Sequence, residues 1–596
     1  MIIIFGGTTE GRLAVDVCEN AGKPYYYSTK SSAQDVEMHN GVRLTGALSA
    51  DEIVAFCKEK DVKCIIDAAH PFAVNLHQEI AATKMPVIRL QRSFGKHIDG
   101  VVYCSSYEDA VAKMSAENIH CLLALSGANT IGKLSGYWNH HKTIFRILQR
   151  PESIETALKN GFPTTNLLFY NDDYTLPTKD EEKELMKQIG CDAIITKESG
   201  ESGGFFTKVE AAIELGLKVF VIEHPQLPSD WIYVNGKHGL RRAIEHTAPD
   251  FFPLKTGFTT GACATAAAKA ALLSLLYDEP SEEISFALPD GEIMTVPVCI
   301  EDKGIASVIK DFSDDPDVTK GCKIIVKAEK GTRGIRFLRG RGVGIVTLPG
   351  LGIPVGEPAI NSTPRRMIED EIRNISNEDF DVTISVENGE EIAKKTFNEK
   401  VGVMNGISII GTSGIVSPLS NEAFIQSIKR EIEVAAAIKC DEIALVSGKK
   451  GEDAVKRGND DYNHDHNYDF SNQKTASTKK TLRCIHYGNF IGEALKAAYE
   501  LRIPSVTVAI MIGKAVKLAE GHLDTHSHKV QMNKEFLKSL APEYADKIDN
   551  IKLARELWSI MPSDFFETIR KKCYEHCRTV YPQGELKIRL ICDDQA

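Results

Sequence analysis

At 596 residues the chain is longer than one hydrophobic core supports, and length alone points to roughly three to four domains. Apolar residues at 43% and charged residues at 26% exclude wholesale disorder and a fibrous class. The formal net charge of −11 argues against nucleic acid as a partner of the whole molecule, leaving only local basic clusters to hold anions.

Met1 runs directly into the apolar Ile2-Ile-Ile-Phe5 and a glycine turn, with no basic leader, long apolar region or cleavage site. No stretch approaches the roughly 20 apolar residues of a membrane helix, so the expectation is a cytoplasmic protein with no membrane partner. The 14 cysteines are scattered through apparent strands and helices, as at Cys18, Cys64, Cys121 and Cys440, which suits reduced buried thiols. Cys573 and Cys577, with His576 between them, lack a second pair, and no metal site is expected. The sequence assigns no oligomeric state.

From the N-terminus, short apolar strands alternate with amphipathic helices. Strands are expected at Ile2–Phe5, Lys23–Ser28, Cys64–Ala68, Val87–Leu90 and Leu122–Leu125, with a helix from Gly11 to about Ala21. The rhythm restarts with strands near Ile144–Leu148, Asn166–Phe169, Ala193–Thr196 and Lys218–Ile222. This is the pattern of parallel α/β units, read as two Rossmann-like doubly wound lobes, 1–125 and 126–247, facing one another across a cleft. His246-Thr-Ala-Pro-Asp-Phe-Phe-Pro253 carries two prolines and reads as a linker. From Ile284 to Leu348, strands and glycine turns predict antiparallel sheet in an α+β lobe, 254–400. Strand and helix alternate again from Ile407–Ile410 through Asn421–Lys439, Glu442–Val446, Phe490–Leu501 and Ser505–Met511, predicting a second α/β lobe, 401–596. Residues 452–480 are polar and poor in large aliphatics, an exposed insertion whose His464 and His466 read as solvated rather than metal-binding. The fold class is therefore α/β and α+β, multidomain.

Two turns carry chemistry of their own. In Gly6-Gly-Thr-Thr-Glu-Gly11, a strand feeds a helix through glycines and hydroxyls, so the helix N-terminus can hold a phosphate; a merely tight turn is the plainer reading. After the second strand, Ser28 and Lys30 stand where an NAD-selective enzyme often has an acid, which leans toward NADPH over NADH. In Thr256-Gly-Phe-Thr-Thr-Gly261, a similar turn opens an alanine-rich helix, and Thr259, Thr260 and Gly261 can meet an anion. Gly411-Thr-Ser-Gly414, following an apolar run, is a further place where backbone can approach a ligand.

Gly6–Arg12, Asp67-Ala-Ala-His-Pro-Phe-Ala73 and Thr196-Lys-Glu-Ser-Gly-Glu-Ser-Gly-Gly204 together resemble the precorrin-6A and cobalt-precorrin-6A reductases of corrin biosynthesis, over residues 1–245. The resemblance implies hydride transfer from a reduced nicotinamide dinucleotide to C-19 of a tetrapyrrole. It implies a cofactor turn of Gly6, Gly7, Thr8, Thr9, Glu10, Gly11 and Arg12, with His70 facing substrate or nicotinamide as a candidate proton donor. It also implies a substrate loop of Lys197, Ser199, Gly200, Gly203 and Gly204.

The second half resembles cobalt-precorrin-5B C(1)-methyltransferase over about 254–596. The motifs are Thr256–Ala271, Ala306-Ser-Val-Ile-Lys-Asp311, Asp314–Thr319, Pro354–Asn361, Pro364-Arg-Arg-Met367, Gly406–Val416, Gly488–Glu493 and Asp524-Thr-His-Ser527. That family transfers a methyl group from S-adenosylmethionine to C-1 of the ring, a reaction that needs positioning and exclusion of water more than acid-base power. The resemblance implies cofactor contacts from Gly411, Thr412, Ser413 and Gly414, and a catalytic or orienting role for Asp311. Substrate contacts are implied for Thr259, Thr260, Gly261, Arg365, Arg366, Asn489 and His526. Arg333, Arg336, Arg339 and Arg341 are further candidates for the substrate's carboxylate arms. Two departures from the family pattern are Arg341, at a position usually acidic, and the wording Val446-Ser-Gly-Lys-Lys-Gly451.

The combined reading is a bifunctional corrin-biosynthesis enzyme that methylates and then reduces a cobalt-precorrin. The competing readings are a non-catalytic tetrapyrrole or cobalt carrier, and a generic nicotinamide dehydrogenase fused to a binding domain.

Overall fold

The computed structural model describes residues 1–30, 36–91, 98–170, 177–199, 204–277, 281–457, 482–526 and 530–592. The chain forms two compact units, Met1–Pro253 and Leu254–Ala596.

The first unit holds twelve described strands: β1 Ile2–Phe5, β2 Tyr25–Thr29, β3 Gly41–Thr45, β4 Cys64–Asp67, β5 Val87–Leu90, β6 Val101–Cys104, β7 Cys121–Ala124, β8 Lys142–Ile147, β9 Leu167–Phe169, β10 Ala193–Lys197, β11 Lys218–Ile222 and β12 Ile232–Val234. They form two six-stranded sheets, in the orders β12-β5-β4-β1-β2-β3 and β6-β11-β10-β7-β8-β9. Every pairing in both is parallel. Ile2 and Ile4 enter one core, beneath helices Thr9–Glu19 and Gly236–Thr247, while Ile3 and Phe5 enter the core on the opposite face. A strand buried on both faces reads as an unbroken apolar run, because successive side chains point to opposite sides. Each fully buried isoleucine contributes about 1.5–3 kcal/mol.

The boundary expected at 125/126 is wrong in two places. β6 and β7, both before that boundary, belong to the second sheet, and β12, far beyond it, is the edge strand of the first. β6 pairs with β11, 118 residues later at Val101↔Val219, and β12 pairs with β5; these long-range choices leave no local trace.

In the second unit the described strands are β13 Gly257–Phe258, β14 Glu283–Ala287, β15 Ile293–Pro297, β16 Cys299–Asp302, β17 Ile305–Ile309, β18 Lys323–Lys330, β19 Ile335–Arg339, β20 Ile345–Val346, β21 Phe380–Val386, β22 Val403–Met404, β23 Ile415–Val416, β24 Glu442–Val446, β25 Leu482–His486, β26 Ser505–Met511 and β27 Glu585–Ile591. The central sheet runs β16-β17-β18-β21-β19, antiparallel except for the parallel β19–β21 pair, so the purely antiparallel expectation fails at that edge. Helix Thr260–Tyr277 packs on β17 and β18, and its small alanines bring helix and sheet close. This helix is long and apolar enough to cross a membrane, contrary to the sequence expectation, but 72% of it is buried as the core of this lobe.

A four-stranded parallel sheet, β25-β24-β26-β27, forms the rest of the unit. Its core takes in helix Ser563–Val580, whose Cys573 and Cys577 are fully buried, with burial pushing both thiols up. The expected boundary at 400/401 also moves. β22 pairs with β20, and β23 with β13, so residues up to about 416 belong to the α+β lobe. Ile407–Ile410, expected as a strand, makes only single bridges, Val343↔Ile407 and Ile360↔Ile409. The polar insertion begins later than 452, because Lys449–Arg457 is helical; 458–481, with His464 and His466, lies outside the described residues.

Candidate functional site

In a parallel sheet the strand order reverses at one point, and the loops at the carboxyl ends there diverge to leave a crevice. The first sheet reverses between β1 and β4, so that crevice is flanked by Gly6–Thr9 and Ala68–His70. A Cβ at Gly6 would lie 2.3 Å from the Tyr27 ring, and one at Gly11 2.9 Å from Gly6 Cα; both glycines are required by packing of turn on helix. Gly7 has φ +96° and donates its amide to Tyr27 Oη at 3.0 Å. Thr8 caps the helix, accepting from the Gly11 amide at 3.0 Å, and donates to the Ala68 carbonyl at 2.7 Å, tying the two loops together. Thr9 and Arg12 are exposed at the turn and Glu10 is half-buried. At the end of β2, Ser28 is buried and its carbonyl accepts from Gly6, while Lys30 is exposed.

Beside them stands a group that the sequence reading missed. Arg43 of β3 lies over the Tyr27 ring at 5.9 Å, and its Nε and Nη2 are buried without a hydrogen-bond partner among the described residues. Tyr27 therefore joins the glycine turn to a guanidinium with two nitrogens unpartnered among the described residues.

The loop after β4 is anchored by a buried network. Asp67 Oδ2 accepts from Arg89 Nη1 at 2.8 Å and lies 3.4 Å from His77 Nε2. Burial lowers the His77 pKa; Asp67 opposes that shift and Arg89 adds to it. His70 accepts the Phe72 amide on Nδ1 at 3.2 Å, which fixes the neutral tautomer with its proton on Nε2. Phe72 packs against the core of the second sheet, and Lys197 Nζ lies 5.3 Å from its ring. The structure thus brings His70 and Lys197 to the two ends of one short bridge.

The second sheet reverses between β7 and β10, flanking its crevice with Ser126–Thr130 and the loop after Lys197. Burial pushes the Lys197 ammonium down to about 8, with Lys133 and Lys208 adding like-charge pressure. Arg146 pairs with buried Glu182 at 3.0 Å, and both Arg146 and Lys208 lie over Tyr170. Four cations thus share this end of the sheet with Glu182. Glu198 Oε2 holds His224 Nδ1 at 2.6 Å, another pair the sequence reading did not single out. Ser199 lies in the loop after β10, and Gly204, with φ +65°, opens helix Phe205–Glu214; Gly200 and Gly203 lie outside the described residues.

In the second unit, two motifs about 150 residues apart close into one junction. The Gly261 amide donates to the Ile410 carbonyl at 2.9 Å, the Ile410 amide to Thr260 Oγ1 at 2.9 Å, and the Thr259 amide to the Gly414 carbonyl at 3.0 Å. Thr259 Oγ1 caps the helix through the Ala262 amide. A Cβ at Gly411 would lie 2.2 Å from Thr259 Oγ1, and Gly411 has φ +144°, so contact and backbone both demand glycine. Thr412 and Ser413 form the exposed tip. Asp311 is drawn in, accepting the Phe258 amide at 2.7 Å, and Asp314 accepts the Lys255 amide at 2.7 Å.

Apolar side chains stand open around this junction: Phe312, next to Asp311, is 71% exposed, and Leu419, whose amide donates to Asp315, is 69% exposed. The arginines divide. Arg365 donates to the Ile360 and Pro358 carbonyls, Arg336 pairs with Asp381 and Arg339 binds the Val343 and Asn405 carbonyls, so these three are occupied within the fold. Arg341 lies 3.5 Å from Glu390, while Arg333 and Arg366 are exposed.

In the last lobe the Asn489 carbonyl accepts the Thr525 amide at 3.0 Å, joining the loops that carry Asn489 and His526. Lys514 donates to the Gly488 carbonyl and Lys517 to the Thr525 carbonyl; burial pushes Lys514 down to about 8, with Lys517 adding to it. Ser527 and His528 lie outside the described residues.

Residues 1–244 match the family model of precorrin-6x reductase CbiJ/CobK, and residues 248–418 match the CbiD model. A cobalt-precorrin-5B C(1)-methyltransferase of Prosthecochloris aestuarii is 38% identical over 362 residues, covering 57% of this chain and 94% of that protein. Among solved structures, CobK precorrin-6A reductase aligns at TM-score 0.34 and 20% identity, over 41% of this chain and 97% of its own. The cobalamin biosynthesis protein cbiD of Archaeoglobus fulgidus aligns at TM-score 0.25 and 26% identity, over 57% of this chain and 87% of its own.

Proposed function

Because the chain belongs to the cobalt-precorrin-5B C(1)-methyltransferase family and carries a CbiJ/CobK reductase module before it, we propose that it performs two consecutive steps on one cobalt-containing macrocycle. The second unit methylates C-1 of cobalt-precorrin-5B to give cobalt-precorrin-6A, and the first unit reduces that product to cobalt-precorrin-6B, in the cytoplasm. The observation that carries this reading is the coincidence of the two family matches, ending at 244 and beginning at 248, with two separately compact units divided at 253/254.

In the first unit we read both sheets as Rossmann-like lobes, the first for cofactor and the second for substrate. A reduced nicotinamide dinucleotide supplies hydride when bound. The glycine turn Gly6–Arg12 fits its diphosphate, and the Nε and Nη2 of Arg43, unpartnered among the described residues, with Lys30 at the end of the neighbouring strand, suit a 2′-phosphate and favour NADPH over NADH. In this reading His70 offers Nε2–H as a hydrogen-bond donor toward the reacting atoms, and His70 or a bound water it orients supplies the proton. Lys197 and its cationic neighbours draw in the carboxylate arms.

In the second unit S-adenosylmethionine supplies the methyl group when bound. The Thr259–Gly261 and Gly411–Gly414 junction holds donor and acceptor together. Phe312 and Leu419 offer the apolar macrocycle a water-excluding face. Asp311, braced by the Phe258 amide, orients this junction, and Arg366, Asn489 and His526 meet substrate from its rim.

Anaerobic incubation of the full chain with cobalt-precorrin-5B, S-adenosylmethionine and NADPH tests the proposal by mass spectrometry. The expected product gains one methyl group and two hydrogens. Binding with no mass change would leave a carrier in its place, and turnover of simple ketones without change to the tetrapyrrole would leave a generic dehydrogenase.

A further inference from the structure

A cavity of about 220 Å³ opens between the carboxyl ends of β4 and β5 and the segment after β11, lined in part by Pro71, Arg89, Gln91, His224, Gln226 and Tyr233. Its lining comes from both sheets of the first unit, and it adjoins His70 through Pro71. Arg89 is only 2% exposed. Its Nη1 serves the protein, donating to Asp67 Oδ2 at 2.8 Å and to the Ala69 carbonyl at 3.0 Å. Its Nε is buried and has no hydrogen-bond partner among the described residues. A buried N–H without an acceptor is rare in a folded protein, and a guanidinium edge is shaped to receive two oxygens side by side.

We propose that this cavity is a carboxylate subsite in which Arg89, which lines it, turns its unpartnered Nε edge to receive one acid arm of the substrate, placing the ring beside His70. The proposal rests on the reading of the first unit as a reductase of a polycarboxylated macrocycle. Asp67 already offsets the charge of Arg89, so the ligand gains hydrogen bonds more than net charge, which suits a monoanionic carboxylate better than a phosphate dianion. Pro71 and Tyr233 supply walls for the alkyl stem, and His224, held at 2.6 Å by Glu198, adds a polar group from the other sheet.

The test uses the full-length protein with propionate as probe and inorganic phosphate as the alternative anion. Ligand-observed NMR reads binding, and reductase kinetics read competition. Propionate should bind in the millimolar range and compete with the tetrapyrrole but not with NADPH. Arg89→Lys keeps a charge for Asp67 but removes the forked edge; Gln226→Trp plugs the cavity at an exposed position and leaves the Asp67 network in place. Each should weaken propionate binding about tenfold or more and raise the KM for tetrapyrrole more than it lowers kcat. Propionate binding unchanged in both variants, or an anion that competes with NADPH instead, would overturn the subsite. A protein that reduces no tetrapyrrole yet binds propionate through Arg89 would sink the reductase reading while keeping the carboxylate site.

Discussion

The two units use glycine and threonine turns to different ends. In the first, the turn after β1 closes on Tyr27 and Ala68 where the strand order reverses, and Arg43 Nε and Nη2 beside it have no hydrogen-bond partner among the described residues. In the second, the Thr259 amide closes on Gly414 while Thr260 and Gly261 close on Ile410, so the turn joins segments about 150 residues apart. A motif of the same composition thus ties neighbouring loops of one sheet in the first unit and clasps segments far apart in sequence in the second, where the exposed Thr412 and Ser413 are left at the tip.

The largest effect expected from breaking this contrast is at the clasp. Gly411→Val places a side chain into Thr259 on a backbone unsuited to it, costing about 3 kcal/mol or more. Methyl transfer should vanish and the unfolding of the second unit should shift to lower temperature, while NADPH oxidation with cobalt-precorrin-6A persists; loss of both activities together would contradict separate units.

Arg43→Ala comes next, with the KM for NADPH rising about tenfold to a hundredfold and that for NADH hardly moving. Equal losses for both cofactors would place Arg43 elsewhere than at the 2′-phosphate. Thr8→Ala removes a helix cap and the tie to Ala68, and should lower the stability of the first unit by about 1 kcal/mol in denaturant unfolding.

The smallest effect is a pH dependence. Burial and its lysine neighbours push Lys197 down to about 8, so it carries charge below that pH and loses it above. The KM for the tetrapyrrole should therefore be flat below about pH 8 and climb beyond it, and Lys197→Met should show a high, flat KM. In stability the sign is the reverse of the usual ion pair. The unfolded lysine keeps its proton to about 10.5, so the penalty for holding Lys197 charged is full below about 8 and fades as the pH rises between the two values.

Much of the framework is legible in residue pattern. Ile2–Phe5, Val87–Leu90, Glu442–Val446 and Ser505–Met511 are strands with the expected limits, because burial on both faces demands an unbroken apolar run. Partner choice is not legible in that way: nothing local in Val101–Cys104 announces a place beside β11. The apolar Ile407–Ile410 shows the converse, since its backbone is drawn to Thr260 and Gly261 instead of a neighbouring strand.

For the sites, turns could be located but not their internal satisfaction. Tyr27 taking the Gly7 amide, or Arg365 turning onto its own loop carbonyls, follows from three-dimensional proximity alone. One signal was available and unused: an arginine inside the apolar Val87-Ile-Arg-Leu90 requires a buried partner, and finds it in Asp67.

The order in which the ribosome releases the chain gives the interleaved sheets of the first unit a further meaning. The core over Ala14, Val15 and Cys18 is completed by Leu240, Ile244, Phe251 and Phe252, and the edge of the same sheet by β12. The opening strand and its glycine turn, made first, therefore wait for more than two hundred further residues before their hydrophobic face is covered. The nascent reductase stays unfinished until synthesis reaches the threshold of the methyltransferase, so a chain arrested before that point leaves no competent first enzyme behind.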